Sequence, residues 1–340
     1  MKGEHVLVAS GLGAVSGGGL YALTPGGGVQ QLDARSTTGF AVEPGAAPRL
    51  ARLLWTDDDV EAPGTLLISD AAGDETAWTI DALREPHGVL WREDGGGLVV
   101  VSTLTNAILW LDPDRREVVR TWTADADEPG DAWHLNDLVV HDGRLLASAF
   151  GRFRTHRGWA ADGARDGAGI VFDVATGADV LRGLTCPHDP TPLDGGWLVC
   201  DSASRRLLRL DAAGTVEEAV DLGGFTRGVA HDEEHVYVGI SAHRLAGADE
   251  GRAAVVALER ATLAEVARWE LPCQEAYGLG WLPAALAEGV RRGSAAAAVG
   301  GDGAVAVAGV AAPVPAGGAA EQREDAGGGR LRRFLRGLQP

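Results

Sequence analysis

The stretch Arg84-Glu85-Pro86-His87-Gly88-Val89-Leu90-Trp91-Arg92 sets a polar residue and a glycine just ahead of a short apolar run. The same register recurs at Thr38-Gly39-Phe40-Ala41-Val42, Asn136-Asp137-Leu138-Val139-Val140 and His188-Asp189-Pro190-Thr191-Pro192. It recurs again at Arg227-Gly228-Val229-Ala230-His231 and Tyr277-Gly278-Leu279-Gly280-Trp281. The copies begin at 38, 87, 136, 188, 227 and 277, in steps of 49, 49, 52, 39 and 50 residues. A repeat of this period belongs to a propeller or a solenoid, because each unit buries its apolar faces only against its neighbours.

Short alternating runs separated by turn residues fill the space between the starts. After His87 they are Gly97–Thr103, Asn106–Asp112 and Arg116–Thr123. With the opening run they make four strands, which is one propeller blade. The next unit reads Leu138–His141, Arg144–Phe150, Gly169–Val174 and Asp179–Arg182, followed by His188–Leu193, Gly196–Asp201, Arg205–Asp211 and Thr215–Leu222. A further unit reads Arg227–His231, His235–Ser241, Ala253–Glu259 and Leu263–Glu270, and the first reads Thr38–Val42, Arg49–Trp55, Gly64–Ser69 and Glu75–Ile80. Asp-Gly and Gly-Gly pairs stand where hairpin turns belong.

The unit that opens at Tyr277 lacks its remaining strands. His5–Ser10 resembles Leu98–Thr103 and Val236–Ser241, the second strands of other units, and Gly19–Thr24 and Val29–Asp33 fit a third and a fourth. The expected fold is therefore all-β, a six-bladed β-propeller over residues 1–310, closed by pairing the two ends of the chain, which also protects the sheet edges. Ala304–Val310 is the alternative source of one of these strands. Residues 311–340 are rich in Ala, Gly and Pro and then charged, the composition of a disordered tail. Its end, Arg330–Leu338, reads as a solvated tail or as a short basic helix for an anchor or partner. The long segment Gly151–Ala168, with His156 and Trp159, reads as a lid or as a tolerated surface insertion.

At 340 residues, 45% of them hydrophobic, the chain can bury one large core. A formal net charge of −18 repels phosphate backbones and argues against a nucleic-acid partner. No run reaches the roughly 18 apolar residues of a membrane span. Three cysteines, Cys186, Cys200 and Cys273, do not make a disulfide framework. Glu4 and His5 follow Lys2 at once, which is not the opening of a signal peptide, so a cytoplasmic location is expected.

In a propeller the first strand of each blade lines the central channel. The repeat therefore gives one layer directly: Thr38, His87, Asn136, His188, Arg227 and Tyr277, all polar. Side chains two apart on a strand share a direction, so a second layer is Ser36, Glu85, His134, Cys186, Phe225 and Glu275. Two positions later the residues turn apolar (Phe40, Val89, Leu138, Pro190, Val229, Leu279), which implies a register shift beyond the first residues. Three imidazoles, His87, His134 and His188, thus converge near Glu85, Cys186, Asp137, Asp189, Arg227, Glu275 and Tyr277. Neutral imidazole is the commonest transition-metal ligand. A bound metal, a metal-free pocket with His as general base and Arg227 as anion clamp, and a purely structural channel all fit this set.

At these residues the chain resembles the six-bladed propellers of the gluconolactonase, regucalcin and strictosidine-synthase superfamily. The family's Glu-Ser/Gly-Pro-x-Trp start is matched by Pro86-His87-Gly88-Val89-Leu90-Trp91, and its Arg-x-Asn-Asp by His134-Leu135-Asn136-Asp137. Its later Asn-Gly-Leu and Asp-Gly starts match His188-Asp189-Pro190 and Arg227-Gly228-Val229. The resemblance implies a divalent metal held where His87, His188 and Arg227 now stand, and a substrate-contacting Asn at Asn136. An oxygen-ligated calcium or magnesium site would lose every ligand side chain here. Imidazole ligands argue instead for zinc, copper, iron or nickel. A closer likeness is to an uncharacterised group of bacterial propellers. It is carried by Pro86-His87-Gly88, by His188 with Cys200-Asp201-Ser202, and by Phe225-Thr226-Arg227-Gly228 with Val238-Gly239-Ile240-Ser241.

The expected function is an enzyme acting on a small-molecule substrate at the channel mouth, with hydrolase, lyase or cyclase chemistry. His87, His134 and His188 are the expected metal ligands, and His134, Arg227, Tyr277 and Glu275 the catalytic groups. Asn136, Asp137, Asp189 and Arg227 are the expected substrate contacts. The alternative is a non-catalytic binding or scaffold propeller, against which the two polar layers argue.

Overall fold

The computed structural model describes residues 4–13, 18–55, 59, 61–242 and 252–299. They form six four-stranded antiparallel sheets. Blade one is Thr37–Val42, Leu50–Leu54, Pro63–Ser69 and Glu75–Arg84, and blade two is Pro86–Trp91, Leu98–Ser102, Ala107–Asp112 and Glu117–Thr123. Blade three is Leu135–His141, Arg144–Ala149, Gly169–Asp173 and Asp179–Leu184, and blade four is Pro187–Leu193, Gly196–Asp201, Arg206–Leu210 and Val216–Asp221. Blade five is Phe225–His231, His235–Ser241, Ala254–Glu259 and Glu265–Glu270. Blade six begins with Glu275–Pro283 and is completed by His5–Leu12, Gly19–Thr24 and Gly28–Asp33, so the N-terminal strands close the ring as expected. Leu7 pairs with Trp281 and Val8 with Gly280 across that closure.

The first strands pack side by side around the axis, and the repeat supplies what that crowding needs. A Cβ on Gly39 would lie 2.2 Å from the His87 carbonyl, and one on Gly88 would lie 2.7 Å from the Asn136 carbonyl. Glycine follows the polar residue because the next blade's backbone fills the space a side chain would take. Blades three and four carry Asp137 and Asp189 there instead. Each uses its carboxylate as the joint: the Asp189 amide donates to Asp137 Oδ2 at 3.0 Å, and the Gly228 amide donates to Asp189 Oδ2 at 2.6 Å.

A second joint recurs at the end of the second strand. The hydroxyls of Ser10, Thr103, Ser202 and Ser241 donate to the carbonyls of Thr38, Leu135, Thr226 and Ala276, each on the first strand of the following blade. Every one of these acceptors is buried, so each staple satisfies a carbonyl that water cannot reach.

Pairing between the first and second strands slips in all six blades beside the polar residue, for example between Pro86 and Val89 and between Arg227 and Val229. This bulge is the shift that the apolar residues two positions later implied.

One element was not expected. Ala284–Val299 is an α-helix, where the sequence reading placed no helix. Its Ala, Leu, Glu and Arg content favours the helix, and Leu286, Ala287 and Val290 bury against Val8, Leu20, Leu32 and Leu50. Cβ atoms on Gly289 and Gly293 would lie 2.3 Å from the Asp70 carbonyl and 2.7 Å from the Gly73 carbonyl. The two glycines thus let the helix lie on the turn of blade one and strap it to blade six. No described helix is long and apolar enough to cross a membrane. The expectations for Ala304–Val310 and for residues 311–340 lie outside the described residues.

Candidate functional site

The site sits where the first strands begin. Glu85, His134 and Cys186, the residues two before the repeat's polar position in blades two to four, have φ of 47°, 51° and 53°. This left-handed turn aims their carbonyls back at the following side chain. His87 Nδ1 lies 3.1 Å from the Glu85 carbonyl, Asn136 Nδ2 donates to the His134 carbonyl at 3.0 Å, and His188 Nδ1 lies 3.0 Å from the Cys186 carbonyl.

These contacts fix the histidine tautomers. A carbonyl can only accept, so the proton of His87 and of His188 sits on Nδ1. The staples agree: Thr103 gives its hydroxyl proton to Leu135 and therefore accepts from His87 Nδ1 at 2.9 Å. Ser202 gives its proton to Thr226 and accepts from His188 Nδ1 at 2.8 Å. His134 Nδ1 donates to Asp131 Oδ2 at 2.7 Å, and the same oxygen accepts from Trp159 Nε1 at 3.1 Å. Each neutral imidazole thus carries its basic lone pair on Nε2. A partner that fixes Nδ1–H and leaves Nε2 basic is the usual arrangement behind a histidine metal ligand.

Glu85, His87 and His134 are buried, and they offer ligand atoms that all lie within 4.8 Å of one another, a group that can hold a metal ion. Two of the three ligands expected from sequence are therefore together, with Glu85 as the third member. His188 is outside that group, its ring between Phe150 and Phe225 at centroid distances of 5.6 and 5.5 Å.

Across the axis, the Tyr277 hydroxyl lies 3.3 Å from His87 Nε2. The Arg227 guanidinium carbon stands 3.6 Å from the centre of the Tyr277 ring, and Arg227 Nη1 lies 3.5 Å from Glu275 Oε2. Burial works against the Arg227 charge, but Tyr277 and Glu275 outweigh it and raise its pKa. Asn136 is wholly buried beside the His134 carbonyl. Asp137 and Asp189, expected as substrate contacts, are half-buried inter-blade acceptors, and burial pushes both carboxyls up. Cys186 packs with Phe150, Trp159 and Phe225 in an apolar cluster.

Sequence reasoning missed Asp131 and the role of the Gly151–Ala168 segment. Trp159 from that segment is 1% exposed and lies tilted against the His134 ring at a centroid distance of 4.5 Å, while Phe150 packs on it at 4.2 Å. The Asp131 amide donates to His156 Nδ1 at 3.1 Å. The segment is built into the wall of the site. Burial pushes the Asp131 carboxyl up to about 7, against the opposing effects of Arg157, Trp159 and His156. The Thr103 and Ser202 partners had a signal, their common place after the second strand; Asp131 had none beyond standing three residues before a histidine. Elsewhere, a groove of about 700 Å³ between blades four and five is lined by Arg209 and Arg260, which pair with Glu218 and Asp194.

No curated protein matches the sequence. Among solved structures, the chain is similar to one in the nidogen/laminin complex at 12% identity, covering 82% of this chain and 98% of that one, with a TM-score of 0.60. It is similar to a protein of unknown function from Bacteroides caccae at 13% identity (82% and 98% covered, TM-score 0.53). It is also similar to the periplasmic gluconolactonase of Pseudomonas aeruginosa at 12% identity (82% and 99% covered, TM-score 0.52). At such identities the likeness establishes the propeller fold and nothing finer. Residues 75–288, more than half of the sequence, match the family described as a domain of unknown function, DUF4915, and the chain belongs to that family.

Proposed function

We propose that the axial site makes this propeller a metal-dependent enzyme acting on a small molecule, with hydrolase- or lyase-type chemistry. One observation carries the reading. Three buried imidazoles have Nδ1 fixed by protein oxygens, and two of them stand with Glu85 in a group compact enough for one ion. Glu85 and Nε2 of His87 and His134 would hold it, and that donor set favours zinc, copper, iron or nickel over calcium or magnesium. A bound ion of this kind polarises a carbonyl and acidifies a bound water.

The chain's own residues supply the rest. Asp131 keeps the His134 ring in one tautomer, and Trp159 and Phe150, both packed against that ring, help exclude water from it. Tyr277 places its hydroxyl oxygen 3.3 Å from His87 Nε2, and Glu275 offers a carboxylate beside Arg227. Asn136 orients the substrate.

The test is elemental analysis of untagged protein purified without chelator or nickel resin. About one equivalent of a transition metal is expected in the wild type, lost in Glu85→Gln and His87→Ala. Metal-free wild-type protein, together with unaltered ligand binding in both variants, would overturn the reading and favour a scaffold.

A further inference from the structure

The Arg227 guanidinium is an unusual group to find at this position. The other residues of its layer are Thr38, His87, Asn136, His188 and Tyr277, so it is the layer's one permanent cation. It is 1% exposed, and among the described residues its Nη2 has no hydrogen-bond partner. Nη1 reaches Glu275 only at 3.5 Å, at the limit of a hydrogen bond. Tyr277 covers one face of the guanidinium at 3.6 Å, which holds the plane still while leaving its donor edge for a ligand. A buried donor left unmatched is costly, and a stacked, immobile guanidinium is shaped for a planar two-oxygen acceptor.

Asn136 adds the opposite polarity. It is fully buried, its Nδ2 is committed to the His134 carbonyl, and its Oδ1 has no partner among the described residues. Because Nδ2 must face a carbonyl, the amide orientation is determined, and Oδ1 is left as an acceptor awaiting a donor.

We infer that the axial site takes a small hydroxy- or amino-carboxylate, its carboxylate seated on Arg227 and its hydroxyl or amine donating to Asn136. This deepens the proposed function and rests on the same site, although the seat itself contains none of the proposed metal ligands. A monoanion suits it better than a phosphate dianion, because Glu275 and Asp137 already lie in the field of this single cation.

The test is ligand-observed NMR with lactate, lactamide and inorganic phosphate as probes. It uses the full chain, metal-loaded and metal-stripped, in the wild type, Arg227→Met and Arg227→Lys. Lactate is expected to bind about tenfold or more tightly than lactamide, the margin of a charge-assisted bidentate contact. Arg227→Met, which keeps the buried stem, should abolish that preference, with lactate binding falling to or below the lactamide level. Arg227→Lys should recover only part of it. Melting curves establish that both variants are folded; if Arg227→Met is not, Arg227→Lys carries the comparison. Equal binding of acid and amide, no acid binding to the folded wild type, retention of the preference in a folded variant, or phosphate outcompeting lactate would each overturn the inference. Acid preference in protein that never contains metal would sink the metal reading and leave the carboxylate seat standing.

Discussion

Replacing Asp131 by Asn tests the link between the blade-three loop and the site. In the wild type one carboxylate oxygen accepts both His134 Nδ1–H at 2.7 Å and Trp159 Nε1–H at 3.1 Å, while Oδ1 has no partner among the described residues. The amide has two orientations there. With its oxygen toward His134, the tautomer survives but the bond loses its charge, and a charge-assisted bond is about twice as strong as a neutral one. Its NH₂ then occupies the unpartnered Oδ1 position, at about 1–3 kcal/mol for a buried unsatisfied donor. With its NH₂ toward His134, the imidazole must accept at Nδ1 and carry its proton on Nε2, where it can no longer ligate.

Both orientations weaken metal binding. Loss of an outer partner of a ligating histidine typically costs 10–100-fold in affinity, about 1.4–2.7 kcal/mol. The assay is competition between metal-stripped protein and a chromophoric zinc chelator, with ¹⁵N shifts of the His134 ring reporting the tautomer. Affinity within about twofold of wild type, in a variant whose ring tautomer has changed, would refute the assignment of His134 as a ligand.

Other outcomes follow from the ring itself. Arg52 is wholly buried, and its Nη2 bonds Asp33 at 3.1 Å and Glu75 at 3.3 Å across the join of blades six and one. Arg52→Ala removes one of the two guanidinium partners of the buried Asp33 carboxylate, Arg35 being the other, and should cost about 1.5–3 kcal/mol in urea unfolding. Burial alone would raise the Asp33 carboxyl, but the Arg35 and Arg52 contacts overcome it and hold it well below the usual range. Its folded pKa is depressed, so its contribution is complete above the ordinary value of 3.8 and is lost as pH falls below that. Urea midpoints should therefore drop steeply below about pH 4, and less steeply in Asp33→Asn. Leu286→Ala should cost about 2–5 kcal/mol if the helix straps blade six to blade one, and an unchanged melting temperature would show that it does not. Thr103→Val removes the donor to Leu135 and the acceptor for His87 Nδ1, and should destabilise by about 1–3 kcal/mol with a weakened metal site.

The blade repeat was legible because its cause is local and periodic. Where inner strands crowd the axis the backbone requires glycine or an acceptor, and Gly39, Gly88, Asp137, Asp189 and Gly228 meet that need in sequence order. The resemblance of His5–Ser10 to Leu98–Thr103 and Val236–Ser241 was the staple itself seen in one dimension, since Ser10, Thr103 and Ser241 are three of its four donors. The site was legible only as a set of residue types. Membership in the compact group turned on left-handed turns at Glu85 and His134. An L-residue pays for that conformation in strain of about 1–2 kcal/mol, and nothing in its side chain announces it. The helix escaped because Leu286, Ala287 and Val290 bury against strands more than 230 residues away, a partnership no local pattern encodes.

The same reasoning explains why Glu85 enters the group and His188 does not. Both neighbouring imidazoles obey one rule, with Nδ1 on the carbonyl two residues back and on a hydroxyl staple, so blades two and four are built alike. They differ in the residue carrying that carbonyl. Blade two has a carboxylate there, and blade four has Cys186, wholly buried among Phe150, Trp159 and Phe225. An ion needs charge-compensating ligands that an apolar thiol pocket raises in cost. The blade-three loop that supplies Trp159 thus does two things at once: it fixes His134 through Asp131, and it helps wall the blade-four histidine in among apolar side chains. Polarity around the ring is consequently one-sided. Glu85, His87 and His134 take the ligating side, and Arg227, Glu275 and Tyr277 take the charged side that meets them through the Tyr277 hydroxyl.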